Sequence, residues 1–455
     1  MRSKESMEEF RAFEKVITAF RKAPRDYHRK INNRLTRQLH NALPAFIFWL
    51  LIASLLNLIA WQYLQGSNNA GESTALITLI SLVLTIASRS YTVNHLMYHS
   101  IGRLGKLPTW HNLSDRIGFF HRFMAVSTLV WLGVHAGYKP FAAPYVDEVL
   151  LVALLGLVTI IILTSFAVFR RKYHNHFENI HRYGGYLAVT LLVAYFLLTG
   201  IESSYSLTHF ISQPEPYLIL TIITMLTAPW IGVSEVYPKL VHVGPHVIGM
   251  RLPGKPSFGT YTRMTLGNRY FHPFGDSMLD FDDKDNRVIY ITPAGDRTTE
   301  VVESAKNGRF LLAETTAKMR RFKGFMYHHA NYDNILILVT GGGIAPVIPC
   351  LVLNTHTRIN VLWIGKDQPE EFTQPLLESL MNKISDQEIN VHILNTKDPD
   401  LKSFTDKTYI ALLLQACEHY NPEAVFVMSN QKFTIDAMHA LKESGMKAYG
   451  ATFDS

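Results

Sequence analysis

The chain has 455 residues, 48% hydrophobic and 18% charged, with a formal net charge of +7 and a mean hydropathy of +0.07. That length suggests about three domains for a soluble protein, but the apolar residues gather in the first half and the charged ones at the N-terminus and in the second half. Basic residues flanking apolar spans speak for membrane topology and against nucleic acid. Cys350 and Cys417 stand in no metal or CxxC spacing, which excludes a disulfide framework.

In chain order, residues 1–40 form a basic segment in which Phe10, Phe13, Val16, Ile17 and Phe20 recur at helical spacing. An amphipathic helix at an anionic lipid surface and a solvated basic helix both satisfy that pattern. The first apolar run begins near Leu43, too late for a signal-peptide core. Six span-length apolar runs then follow within residues 41–234, starting at Ala42, Ser73, Ile117, Val149, Tyr183 and Tyr217. Arg103, Lys106 and Arg116 follow the second run, and Arg170, Arg171, Lys172 and Arg182 follow the fourth, whereas the loops after the first and fifth have no Lys or Arg. This asymmetry predicts six spans with both termini cytoplasmic, in a cell (inner) membrane.

Histidine is costly in a bilayer and marks function or a partner. His95, His99, His111, His121, His174, His176 and His181 cluster toward the predicted cytoplasmic side, and His135 alone lies at the outer end of a span. His121 and His135 are fourteen residues apart. An α-helix separates such residues by roughly 21 Å and leaves them on one face. His95 and His99 form an i, i+4 pair that would suit a non-haem metal.

From about Pro238 the pattern changes to short alternating segments, HVIGMRL, YTRMTL and RVIYITP, as in a small antiparallel barrel over residues 235–330. Residues 331–455 carry compact apolar strands, NILILVT, INVLWIG, INVHIL and AVFVMS, alternating with helical stretches, as in a parallel α/β sheet. NILILVTGGGIAP runs from a buried-type strand into Gly341, Gly342, Gly343 and Pro346, a turn suited to close approach by a pyrophosphate. Its spacing is G-x-G-x-x-P, which an ordinary strand-to-helix turn also satisfies.

The ordered set NRYFHPFGDS, AGDRTTEVVE and GGGIAP resembles the ferredoxin-NADP reductase superfamily, in particular its membrane branch of ferric reductases and NADPH oxidases. The ending SNQKFTIDAMHALKESGMKAYGATFDS resembles the TmpA-like membrane flavoproteins of that branch. The fold expected is therefore a six-helix transmembrane bundle followed by a β-barrel FAD domain and an α/β NAD(P) domain. The resemblance implies that Arg269, His272, Pro273 and Phe274 line the flavin, that Gly295 and Thr298 present a helix start to the FAD pyrophosphate, and that Gly341, Gly342, Gly343 and Pro346 lie under NADPH or NADH. His272, Ser429 and Phe453 are the candidate catalytic residues, with Asn430 beside Ser429 and Phe453 stacking on the flavin. Gly275 stands where the membrane branch has Thr, and Ser429-Asn430 where many relatives have Cys-Gly. Lys366 would meet a 2′-phosphate and Asp367 a ribose hydroxyl.

In haem-bearing relatives the third and fifth spans each supply two histidines. His121 then pairs with His181 for one haem b, while His135 lacks an outer partner, since Ala194 and Tyr195 are poor imidazole substitutes. The function expected is electron transfer from NAD(P)H through FAD to a small-molecule or metal-chelate acceptor, in a lipid bilayer. Two rivals are a membrane reductase or non-haem metal oxygenase acting on a lipid-like intermediate at the histidine cluster, and a non-catalytic redox sensor.

Overall fold

A computed structural model describes residues 4–27, 34–90, 93, 116–138, 145–203, 207–228, 231–266, 271–279, 287–293, 295–308, 316–318, 321–353, 357–368, 372, 374–385 and 387–450. The chain divides into two units, one of residues 42–94 and 115–231, the other of residues 1–41, 95–114 and 232–455.

The first of these units is helical. Its elements are α2 (Arg34–Gln65, entering from the other unit), α3 (Ala70–Ala87), α4 (Gly118–Tyr138), α5 (Tyr145–Thr164), α6 (Gly185–Ser203) and α7 (Glu215–Thr227). Leu79, Leu132, Leu154, Leu192, Tyr195 and Ile222 form its interior. The outside is apolar too: Leu51, Leu55, Leu58, Val149, Val152 and Leu220 are each more than half exposed. A surface of that kind does not suit water. Three helical stretches are long and apolar enough to cross a membrane, Leu43–Gln65, Ala70–Ala87 and His176–Thr199. The other apolar helices coincide with predicted spans but fall short in length or hydropathy among the described residues. Polar side chains cross-link the helices, with Asn57 donating to Ser127 at 2.8 Å and Trp131 Nε1 donating to Asn57 at 2.8 Å.

The second unit holds two sheets. The antiparallel one joins β1 (Val233–Glu235), β2 (Lys239–Val243), β3 (Ile248–Arg251), β4 (Thr260–Met264), β5 (His272–Met278), β6 (Arg287–Ile291) and β7 (Thr316–Lys318) in the order β1-β7-β4-β5-β6-β3-β2, with β8 (Phe322–Lys323) on β4. The described pairings leave β1 and β2 as open ends. After β6 comes α8 (Asp296–Lys306).

The parallel sheet has the order β11-β10-β9-β12-β13, from β9 (Asn334–Thr340), β10 (Arg358–Gly365), β11 (Ile389–Asn395), β12 (Ala424–Met428) and β13 (Ala448–Gly450). The helices α9 (Gln374–Ile384), α10 (Asp406–Tyr420) and α11 (Gln431–Glu443) alternate with its last strands. Chain order reverses between β9 and β12, and their carboxyl ends therefore border the crevice where such sheets take ligands.

Neither reading of the N-terminal helix anticipated its place. The apolar face of α1 (Lys4–Lys22) meets neither lipid nor water: Phe13, Ile17 and Phe20 are at most 4% exposed, packed with Leu394, Leu413 and Tyr420. Glu14 bonds His392 Nδ1, whose Nε2 meets Tyr420 Oη at 2.6 Å, and Glu9 pairs with Arg358. Beyond the helix, Asp26 accepts from Thr405 and Thr408 at the start of α10. A physical reason lies in the topology. β11 is an edge strand, and α1 covers the side chains of its α10-facing side.

His329, on the turn before β9, is 1% exposed, with Nδ1 2.9 Å from Met326 O. Burial pushes its pKa below the ordinary 6.5. The unfolded chain then takes up a proton near pH 6.5 that the folded chain refuses, so this contribution to stability is full above 6.5 and is lost as pH falls below it. Melting followed by tryptophan fluorescence at pH 7.5 and 5.5 should show a loss of at most about 1.4 kcal/mol per pH unit from this group, flattened in His329→Asn.

Candidate functional site

The crevice is built from strand ends. β9 delivers Thr340 and then Gly341, whose φ of +52° is left-handed backbone that glycine adopts without strain. A Cβ on Gly342 would lie 2.4 Å from Thr292 Cγ2, and one on Gly343 would lie 3.0 Å from Met428 O. The three glycines thus answer three different demands: backbone sign, Thr292 just beyond β6, and the end of β12. Trp363 on β10 donates its indole N–H to Gly341 O at 3.0 Å and pins the turn. Nothing in the local pattern of INVLWIG marks that role, since the acceptor lies on the turn after another strand.

Across from the turn stands β5. His272 is half-buried opposite Met264 in the pairing with β4, Pro273 is exposed, and Phe274 packs on the antiparallel core. A Cβ on Gly275 would sit 2.4 Å from Pro346 Cβ, so the proline ring occupies the space a side chain would need. Ser277 is fully buried and donates to Ala345 O at 2.7 Å. It therefore does not substitute for the hydroxyl missing at Gly275; it bolts β5 to the glycine-rich turn. Asp276 turns the other way, accepting from Thr260 and Thr262 at 2.9 and 2.8 Å beside Arg287.

Gly295 precedes α8 with extended backbone and open space around the Cβ it lacks. Having no side chain, it cannot cap the helix, and the Thr298 hydroxyl folds back on it, 3.0 Å from both Gly295 N and Gly295 O. An uncapped helix start of this kind fits a pyrophosphate. The glycine-lined turn and this helix start together fit a dinucleotide and a flavin nucleotide.

At the end of β12, Ser429 Oγ lies 2.7 Å from Thr340 Oγ1, so two hydroxyls meet at the crevice. Thr340 was not singled out in the sequence. The Asn430 side chain accepts from Phe433 N at 3.0 Å and caps α11. At the end of β10, Lys366 is exposed, while Asp367 is paired with Lys397 and its N–H donates to Asn395 at 3.1 Å. Arg269 and Phe453 lie outside the described residues.

In the helical unit the rings of His121 and His181 are 6.1 Å apart at 67°. His121 Nδ1 is 2.9 Å from Thr85 O, which sets Nδ1 as its protonated nitrogen and leaves Nε2 with a lone pair. His181 lies in the π-helical turn Ile180–Gly184, and its Nδ1 is buried without a hydrogen-bond partner. Metal–nitrogen bonds of about 2 Å on each side make such a spacing fit two imidazoles on one metal. His135 is engaged by its neighbours. Its Nδ1 meets Thr74 Oγ1 and its Nε2 meets Tyr195 Oη, both at 3.1 Å, so neither nitrogen is free for a metal. The outer residue dismissed as a poor ligand, Tyr195, is a hydrogen-bond partner instead. His95 and His99 lie outside the described residues, and no group of three or more metal-binding side chains occurs among the described ones.

If Trp363 holds the turn, Trp363→Phe should raise KM for NAD(P)H about fivefold, near the 1 kcal/mol value of one hydrogen bond, with kcat little changed. Steady-state kinetics with an artificial acceptor checks this.

Residues 325–455 match the family described as "Adenylate-forming reductase 03009, C-terminal domain". Adenylate-forming reductases 03009 and 06235 of Coprinopsis cinerea are each 22% identical to the chain over 74% of its length. The chain spans 32% and 33% of these two relatives, about a third of their length. Among solved structures, a ferredoxin-NADP+ reductase from Plasmodium falciparum with 2'P-AMP covers 48% of the chain and 96% of its own at 12% identity and a TM-score of 0.35. The ferredoxin reductase in carbazole 1,9a-dioxygenase covers 49% and 70% at 12% identity and a TM-score of 0.37. The likeness to a C-terminal domain of the adenylate-forming reductases is thus a sequence likeness of residues 325–455.

Proposed function

We propose that the chain is an NAD(P)H-dependent flavin oxidoreductase of the ferric-reductase-like membrane branch, whose helical unit receives the electrons. The observation that carries this reading is the direct packing of β5 against the glycine-rich turn, Gly275 on Pro346 and Ser277 on Ala345 O. It joins the strand expected to face a flavin to the turn expected to face a nicotinamide. A bound flavin supplies the chemistry of accepting a hydride and releasing electrons singly. The α8 start would hold its pyrophosphate through backbone amides, β5 would orient it, and Thr340 and Ser429 would offer hydroxyls to the nicotinamide side. The Asp367 carboxylate is taken by Lys397, which leaves Lys366 to favour a 2′-phosphate and hence NADPH. The relatives are named as reductases, which supports this reading; adenylate formation is not carried over, because the chain matches only about a third of their length.

In the six-span reading, His121 and His181 would hold one haem b, which would supply one-electron transfer toward a small-molecule or metal-chelate acceptor. Protein purified in detergent should hold FAD and oxidise NAD(P)H with ferricyanide; absence of both sinks the proposal. A reduced-minus-oxidised spectrum should show a haem band that disappears in His121→Ala and in His181→Ala and survives in His135→Ala. A band lost in none of them removes the inner site.

A further inference from the structure

The charges of α1 are sorted by face. Glu9, Glu14 and Arg21 turn inward onto Arg358, His392 and Asp398. Arg11, Lys15 and Lys22 are exposed, and Arg25 follows them exposed beyond the helix. None of these four has a partner among the described residues. At about 100° per residue, Arg11, Lys15 and Lys22 fall within roughly 40° of one another and about half a turn from Phe13, Ile17 and Phe20. Glu8 is the exposed carboxylate on the same side. Because the apolar face is committed to the α/β domain, the basic stripe has a fixed outward direction.

We propose that this stripe is a docking surface for anionic phospholipid headgroups. The proposal rests on reading the apolar helices as membrane spans. Charge complementarity selects the occupant: four cations against one carboxylate suit a leaflet bearing negative headgroups, each Lys or Arg near such a surface being attracted to it. Chain length puts it within reach. Fifteen residues lie between Tyr27, held on Glu443, and Leu43, where the first span-length stretch begins; with Arg34 onward already helical in α2, they allow at most about 40 Å. A helix lying with its apolar side in lipid would present the opposite face, so the two membrane modes are physically distinct.

The test uses the full chain in nanodiscs, with Thr18→Cys on the stripe carrying a spin label. Cys350 and Cys417 do not compete, being 0% and 7% exposed with burial pushing both thiols up to about 12. Accessibility to a water-soluble nickel chelate should fall about fivefold from phosphatidylcholine to phosphatidylserine-containing discs, and return in high salt. The combined variant R11Q/K15Q/K22Q/R25Q should abolish the fall while keeping the melting temperature. Equal accessibility in both lipids, or a fall unchanged in the combined variant, overturns the proposal while the membrane reading stands. Failure to enter nanodiscs at all overturns the membrane reading and the docking surface with it.

Discussion

Gly275→Thr should lower the rate of flavin reduction by NAD(P)H by about a hundredfold, while flavin stays bound. The expectation inverts the one drawn from resemblance, where Thr at this position is the ordinary residue and its hydroxyl an asset. Here the added Cβ alone would stand 2.4 Å from Pro346 Cβ and 3.1 Å from its Cγ. Packed interiors do not absorb such an overlap in place. β5 and the glycine-rich turn must part, and the Ser277 bond to Ala345 O, 2.7 Å long, is strained with them. A displacement near 1 Å between reacting groups costs on the order of 10²-fold in rate. Gly275→Ala should fall similarly, because the clash belongs to Cβ and not to the hydroxyl. Rapid mixing with NAD(P)H measures the step, and a double variant Gly275→Ala, Pro346→Gly should recover part of the rate, since the two changes share one contact. A fast Gly275→Thr enzyme would mean that this contact does not set the reacting geometry.

What the sequence made legible was local or periodic. The strand NILILVT, its turn and the alternation after residue 331 follow from burial on both faces of a parallel sheet, and the structure has them as β9 to β13. His121 and His181 were paired through resemblance, and their rings do come together at 6.1 Å. His135 was not legible, because its spacing on α4 says which face it occupies and nothing about Thr74 on α3 or Tyr195 on α6. The same blindness hid Trp363, whose acceptor Gly341 is on the turn after a neighbouring strand, and the contact of Pro346 with Gly275, though both residues were named. Each missed contact joins partners distant in sequence, and periodicity holds no record of partners. The N-terminal helix makes the point most sharply. Its period grouped Phe13, Ile17 and Phe20 on one face, which the structure buries, but an amphipathic pattern cannot tell lipid from protein as the apolar medium.

That ambiguity gives the second large effect. Phe13 is fully buried, with its ring centroid 5.0 Å from those of His392 and Tyr420 and 5.1 Å from that of His419. Phe13→Ala should cost about 3–5 kcal/mol, the range for removing a buried aromatic ring. The loss should fall on docking of α1 before it reaches the sheet, because β9 to β13 keep their own ladder and α10 and α11 their own packing. Undocking exposes the backbone at Arg11, Lys15 and Lys22, so trypsin reads it directly. Where opening is fast relative to cleavage, the rate follows the open population, and a loss of about 3 kcal/mol raises cleavage roughly a hundredfold. Glu14→Gln gives the scale of the polar contact alone: it keeps a hydrogen-bonding side chain against His392 and should raise cleavage by about tenfold or less. If Phe13→Ala and wild type were cut equally slowly with the fold intact, α1 would be held by its polar contacts and not by the burial of its apolar face.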